Sequence, residues 1–464
     1  MSTEKNDGFG RPRGRREALS RSAIYDCGDS RGLRPRPLTC QSRATTIWTN
    51  KIHRRIKVRR VHAKHLKVAT RQTPRAINRQ IVLRLLRAHQ AISRADLARL
   101  LGMQRSAAGR IVGDLIAQGL VREGAPGAAD RGRKPTLLHL DSGGRCVVAV
   151  DVRVTRTFLL LTDLVGRELT PVRSFETDGE PQAFVAHLAA EVHRLLSDHG
   201  EKGRCLGVGV AFPGMLDRSG SVVLRAPSLG WRDVRLRDPL AERLGLPVEM
   251  ENAAKACALA LIWGARGDEP PGDLVFVSVS DGVGVGIVMA GEVLRGRNNA
   301  AGEFGHLPLS IDGPWCACGA LGCWEAYVSN LATLSRYLSV PFPPQRPISP
   351  AMARVTVESV IAAARGGDVK AVTALLATGR YFGLGLASIV NALDPARILV
   401  GGEITAAWDL IEPAVREGLA ERVLVAAAAD TEIATVAPED HPRLRGASAL
   451  VGASVFAERG LKIG

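Results

Sequence analysis

Residues 302–329 read G-E-F-G-H-L-P-L-S-I-D-G-P-W-C-A-C-G-A-L-G-C-W-E-A-Y-V-S, and no other stretch restricts the fold as much. Cys316, Cys318 and Cys323 fall within eight residues, with Gly319 and Gly322 between them and His306 ten residues upstream. Three thiolates and one imidazole are what a closed tetrahedral zinc site requires, and the glycines let the backbone fold tightly around it. The other five cysteines (Cys27, Cys40, Cys146, Cys205, Cys257) are scattered, so chance clustering is a poor explanation. A local disulfide or unliganded thiols are the alternatives. Four protein ligands, His306, Cys316, Cys318 and Cys323, leave no open position for a reacting water, so the zinc is expected to be structural.

The flanks add two carboxylates. Glu303 lies three residues before His306, and Glu325 lies two after Cys323. Carboxylates accept hydrogen bonds from hydroxyls, so a metal-braced loop holding two of them suits a neutral polyol. The full pattern, G-E-x-G-H followed about ten residues later by C-x-C-G-x-x-G-C-x-E, resembles the signature of the ROK family of repressors, open reading frames and sugar kinases. The resemblance covers roughly 146–464, including 208–214 (V-G-V-A-F-P-G), Leu229-Gly230-Trp231, 247–256 and 394–402. It implies a two-lobed α/β body of the actin-like, ribonuclease-H-like fold with a sugar in the cleft. The lobe boundary is expected near 253–260, and a last helix over about 447–459 is expected to return to the first lobe. It also implies that Asn252, Glu303, His306 and Glu325 contact the sugar, His306 using one ring nitrogen for zinc and presenting the other.

A chain of 464 residues has room for two or three domains with substantial cores. It has no run of about 18 apolar residues, so no membrane helix is expected, and its N-terminus lacks the apolar segment of a secretory signal. Reduced cysteines spaced for a metal suit the cytoplasm. The net charge of +16 is uneven. Residues 1–70 hold 18 Lys and Arg against 5 Asp and Glu, and residues 71–145 hold 14 against 5, which leaves −6 for the remainder. A basic front on an acidic body fits a nucleic-acid-binding module joined to a solution domain.

Residues 1–70, rich in Arg, Gly, Pro and Ser, show no sustained period and read as a disordered, solvated arm. The basic run 51–67 becoming helical on a polyanion, or a start further downstream, are the other readings. Residues 71–145 form the second segment. Ile77, Ile81 and Leu85, with Val82 and Leu86, give a helical stripe. Ser93 and Asp96 form a capping box, with Asp96 expected to return to the Ser93 amide. A short helix through Leu97, Leu100 and Leu101 precedes a Gly102-Met103 turn, and a third helix spans about 104–118 with Ile111, Leu115 and Ile116 inward. This pattern predicts a helix-turn-helix. Gln104, Arg105, Ser106 and Arg110 at the exposed start of the third helix suit base edges and phosphates. A hairpin from 120–123 and 136–140 carries Arg131, Arg133 and Lys134 at its tip, a wing suited to the minor groove. The segment 75–140 resembles the winged helix of ROK repressors, which the kinases lack.

The choice between kinase and regulator rests on two departures. The kinases' first loop reads D-x-G-G-T, whose glycines admit phosphate; here it is Asp151-Val152-Arg153-Val154-Thr155. Their base follows Asn in E-N-D-A; here the stretch is Glu251-Asn252-Ala253-Ala254, and a methyl group takes no proton. Loss of a positioned base costs about 10²–10⁴ in rate. The glycines at 282, 284 and 286 read better as tight strand–turn packing than as a phosphate loop. The chain is therefore expected to be a cytoplasmic, dimeric, sugar- or sugar-phosphate-responsive regulator of double-stranded operator DNA, without catalysis, holding structural zinc. An active sugar kinase carrying a DNA-binding domain, and a constitutive architectural DNA binder, are the competing readings.

Overall fold

The computed structural model describes residues 75–89, 91–126, 135–141, 144–200, 204–264, 272–342, 352 and 354–456. The arm expected over 1–70 and the wing-tip residues Arg131, Arg133 and Lys134 lie outside them.

The N-terminal segment runs α1 (Arg75–His89), β1 (Ile92–Ser93), α2 (Arg94–Leu100), α3 (Arg105–Ala117), β2 (Val121–Pro126) and β3 (Thr136–Leu140). Val82, Leu83 and Leu86 of α1, Leu97 of α2, Val112 and Leu115 of α3 and Leu138 of β3 are fully buried together. Leu100 departs from the apolar pattern and is 49% exposed. Gly102 makes the turn between α2 and α3 with φ of 60°, a conformation costly for residues carrying a Cβ. Ser93 caps α2, its Oγ accepting the Asp96 amide at 3.1 Å. The return bond differs from the expected one. Asp96 accepts the Ser93 hydroxyl at 2.6 Å instead of its amide, because Ser93 is drawn into a short strand opposite Leu137 of β3. That strand makes the wing a three-stranded sheet, ordered β1-β3-β2.

The first lobe holds β4 (Cys146–Val152), β5 (Arg156–Thr162), β6 (Arg173–Glu176), α4 (Pro181–Asp198), β7 (Cys205–Phe212), β8 (Met215–Leu216), β9 (Val222–Ala226), β10 (Trp231–Arg235), α5 (Arg237–Leu244) and β11 (Val248–Asn252). After α6 (Ala253–Gly264), the second lobe holds β12 (Leu274–Val279), β13 (Val283–Met289), β14 (Glu292–Val293), α7 (Glu325–Val328), α8 (Asn330–Leu338), α9 (Val357–Arg365), α10 (Val369–Leu393), β15 (Arg397–Gly401), α11 (Trp408–Arg422) and β16 (Glu432–Thr435). The chain's last described helix is α12 (Pro442–Phe456).

The two main sheets repeat one topology. In the first, β4, β5 and β6 form an antiparallel meander while β7 and β11 add in parallel on the other side of β4. In the second, β12, β13 and β14 form the meander, with β15 and β16 parallel beyond β12. Every residue of β4 and of β12 is buried, as expected of central strands covered on both faces. α12 starts at Pro442, before the expected 447, and packs with α6 on the first sheet through Ala149, Ala211, Ala256 and Ala447. By length and composition α10 is apolar enough to cross a membrane. It nevertheless contains Lys370 and Arg380 and buries Leu375, Phe382 and Leu386 in the second lobe's core, beside Val415 and Leu419 of α11.

The N-terminal core continues into the body. Val147 of β4, Leu164 and Val451 of α12 belong to the same apolar cluster as α1 and α3. The Arg87 guanidinium of α1 lies 4.3 Å from the ring centre of Trp263, near the C-terminal end of α6, and donates to the Ile262 carbonyl at 3.3 Å.

Candidate functional site: an interlobe cleft beside a cysteine loop

The Cys-rich loop follows β14 and leads into α7. The Cys316 amide donates to the Ala320 carbonyl and the Gly319 amide to the Cys316 carbonyl, turns that fold the thiols inward. The ligand atoms of His306, Cys316, Cys318 and Cys323 all lie within 4.8 Å of one another. Cys316 Sγ stands 3.6 Å from His306 Nδ1, and Cys318 Sγ stands 3.6 Å from Cys323 Sγ. Metal–ligand bonds of about 2.0–2.3 Å at tetrahedral angles separate a sulfur from its neighbouring ligand atoms by about 3.5–3.8 Å, and these two pairs match that spacing. Burial and the neighbouring negative groups push the Cys316 thiol up, and the Cys323 thiol up to about 11. A dication reverses that preference, because it binds the thiolate. All six cysteines among the described residues are free, so no local disulfide forms there.

Since Nδ1 of His306 faces Cys316, the loop assigns that nitrogen to the metal side. A cleft between the lobes is lined by Arg153, Gly214, Asn252, Ala253, Ser280, Asp281, Glu303, His306, Glu325 and Arg443, so all four expected sugar-contact residues meet there. Asn252 ends β11 immediately before α6. Its Oδ1 accepts the amides of Ala254 and Lys255 at 3.0 and 3.3 Å, and its Nδ2 donates to the Gly214 carbonyl at 3.0 Å. Asn252 is thus a helix cap whose acceptor is committed. One Nδ2 hydrogen remains beyond the Gly214 bond. Glu325 accepts the Val283 amide at 2.8 Å through Oε2. Burial, reinforced by nearby Glu325, holds the Glu303 carboxyl above its ordinary range, against the pull of His306 and Lys255.

The glycines of β13 pack rather than cradle. A Cβ on Gly286 would lie 2.2 Å from the Ala254 carbonyl oxygen and one on Gly284 2.9 Å from the Ala254 Cβ, so bare backbone lets β13 lie directly on the first turn of α6. Local sequence reading missed the polar network on the other side of the cleft. Asp151, 1% exposed, pairs with Arg153 at 2.8 Å and with Arg443 of α12 at 2.7 Å. Arg153 also pairs with Glu403, which follows β15 in the second lobe, and the other Glu403 oxygen accepts Asn330 Nδ2 at 3.0 Å. Burial alone would lower the Arg153 pKa, but Asp151 and Glu403 raise it above its ordinary value. Burial would likewise raise Glu403, but Arg153 and Asn330 hold it below the usual carboxylate range. Arg153 was visible in sequence only as a missing glycine, because its partner lies 250 positions away. Lys255 of α6, 2% exposed, was also missed. It donates to the Asn299 carbonyl, while burial lowers its pKa against the pull of Glu251 and Glu303.

At the other end of the chain, Gln104, Arg105, Ser106 and Arg110 are all exposed at the start of α3, and the Gln104 side chain makes no capping bond.

Comparison with known proteins agrees with this arrangement. The chain is 27% identical over 358 residues to the xylose repressor of Bacillus spizizenii, spanning 77% of this chain and 90% of that one. The crystal structure of a ROK-family transcriptional regulator, a homologue of the E. coli MLC protein, shares the fold at a TM-score of 0.66 and 24% identity, over 82% of this chain and 97% of that one. A ROK-family glucokinase from Streptomyces griseus, solved with glucose and AMPPNP, superposes on the body at a TM-score of 0.57 and 26% identity, over 68% of this chain and all of that one. Residues 80–132 match the MarR family and residues 147–454 match the ROK family, so the chain belongs to the ROK family and carries a MarR-type winged helix ahead of its two-lobed body.

Proposed function

We propose that the chain is a sugar-responsive transcriptional repressor of carbohydrate-utilisation genes, in which a monosaccharide in the interlobe cleft governs the grip of the winged helix on operator DNA. One observation carries the reading: a MarR-type winged helix is joined to a ROK body whose cleft is lined by Asn252, Glu303, His306 and Glu325. Glu303, Glu325 and the free ring nitrogen of His306 bind sugar hydroxyls, with the remaining Asn252 hydrogen as a donor. His306, Cys316, Cys318 and Cys323 hold zinc, which braces the loop presenting Glu303 and Glu325. Gln104, Arg105, Ser106 and Arg110 read the major groove, with Arg131, Arg133 and Lys134 on the wing. Residues 71–145 are the DNA-binding domain and 146–464 the effector body. The protein works in the cytoplasm as a homodimer, since operator half-sites are read by symmetry-related helices.

The body does not phosphorylate its sugar. Ala253 stands where a base would take the hydroxyl proton, and the Arg153 guanidinium, paired with Asp151 and Glu403, crowds the loop that phosphates would need. Genomic fragments selected by the purified protein, titrated with and without a panel of monosaccharides, test the proposal. Operator affinity unchanged by every sugar counts against it, and hexose- or pentose-dependent ADP release above background would promote the kinase reading that the glucokinase likeness keeps in play.

A further inference from the structure

Resting on the sugar-binding reading, we infer that the cleft selects a neutral, unphosphorylated sugar and rejects its phosphate esters, because the guanidinium groups along its wall and the Ala254 and Lys255 amides at the start of α6 are already held by protein acceptors. A phosphate group needs guanidinium or ammonium charge, or free amides at a helix N-terminus. Arg153 and Arg443 line the cleft, but both are tied to the buried Asp151 carboxylate at 2.8 and 2.7 Å. Arg153 is held a second time by Glu403, and Arg443 donates to the Val152 carbonyl at 2.9 Å. Lys255 is buried and turned to the Asn299 carbonyl.

The backbone donors are taken in the same way. The N-terminus of α6 opens on the cleft, yet Asn252 Oδ1 occupies the Ala254 and Lys255 amides. The Val283 amide is held by Glu325. What remains facing a ligand includes the carboxyl groups of Glu303 and Glu325. Such a wall accepts hydroxyl protons and opposes a dianion, whose charge it meets in a partly desolvated space.

Calorimetry on the full zinc-loaded chain tests this. The probes are neutral hexoses, pentoses and N-acetylhexosamines, each beside its terminal phosphate, with inorganic phosphate alone as a further arm. The expected result is that at least one neutral sugar binds at least about tenfold more tightly than its phosphate, and that inorganic phosphate gives no heat. In Glu403→Gln, which leaves Arg153 with a single carboxylate, the gap between parent and phosphate should narrow by about tenfold. A phosphate bound as tightly as its parent, or a gap unmoved in Glu403→Gln, overturns the inference and leaves sugar binding standing. A panel in which neither set binds overturns the sugar-binding reading, and the inference with it.

Discussion

Asp151 shows how a single buried carboxylate can reassign a site. In water each guanidinium would be free to meet a phosphate, but Asp151, 1% exposed, holds both Arg153 and Arg443. Glu403 is pinned on the opposite lobe, and its stability consequence has a definite sign. Its folded pKa lies below the ordinary value, so its contribution is fully present above the unfolded carboxyl range and is lost as pH falls through the folded pKa. Urea midpoints measured between neutral pH and about pH 3 should therefore fall less steeply in Glu403→Gln than in the parent; parallel curves would show that the Arg153 pair contributes nothing. The thiols make a second residue-scale prediction. Metal analysis should find one zinc per chain, and Cys318→Ser should lose it and lower the thermal midpoint by several degrees. Retention of full stability after complete chelation would remove the structural role. These two clusters differed in legibility. The cysteines and His306 fall within 18 residues of sequence, so spacing alone brought them together, whereas Asp151, Glu403 and Arg443 meet only through the fold.

Among the elements, α6 occupies a position that no periodicity could disclose. Twelve residues at 1.5 Å each make it about 18 Å long. It begins after the Asn252 cap in the cleft and ends at Gly264, next to Trp263, whose indole lies under Arg87 of α1. Its sequence, A-A-K-A-C-A-L-A-L-I-W-G, shows little amphipathic pattern because it is packed by β13 on one side and α12 on another. The third helix was legible from its stripe, since burial imposes that pattern locally. The two-residue β1 was not, being created by pairing with β3. α6 thus connects the cleft to the N-terminal segment. In Arg87→Ala, sugar affinity should stay near that of the parent, while the ratio of operator affinities without and with sugar should shrink several-fold as a contact of about 0.5–2 kcal/mol is lost. An unchanged ratio would mean that the coupling runs through α12 or the shared core instead.

On the scale of the whole chain, charge and linkage decide behaviour together. The +22 carried by residues 1–145 against −6 on the body concentrates attraction for DNA at one end, so operator affinity should fall steeply with salt. Arg105→Ala and Arg110→Ala test which part of that attraction is specific. A residue that only neutralises phosphate should lower the salt slope by about one and weaken all sequences alike, whereas one that reads a base should cost about 1–3 kcal/mol at the operator and relax its specificity. Linkage then binds the two ends quantitatively. If a sugar weakens operator binding by some factor, saturating operator must weaken sugar binding by that same factor, whatever route the coupling takes through α6 or the shared core. Paired titrations, sugar into free protein and sugar into the operator complex, should therefore give a ratio of dissociation constants equal to the ratio of operator affinities measured without and with sugar. Unequal ratios would require a further equilibrium, such as a change in subunit association, to be part of the switch.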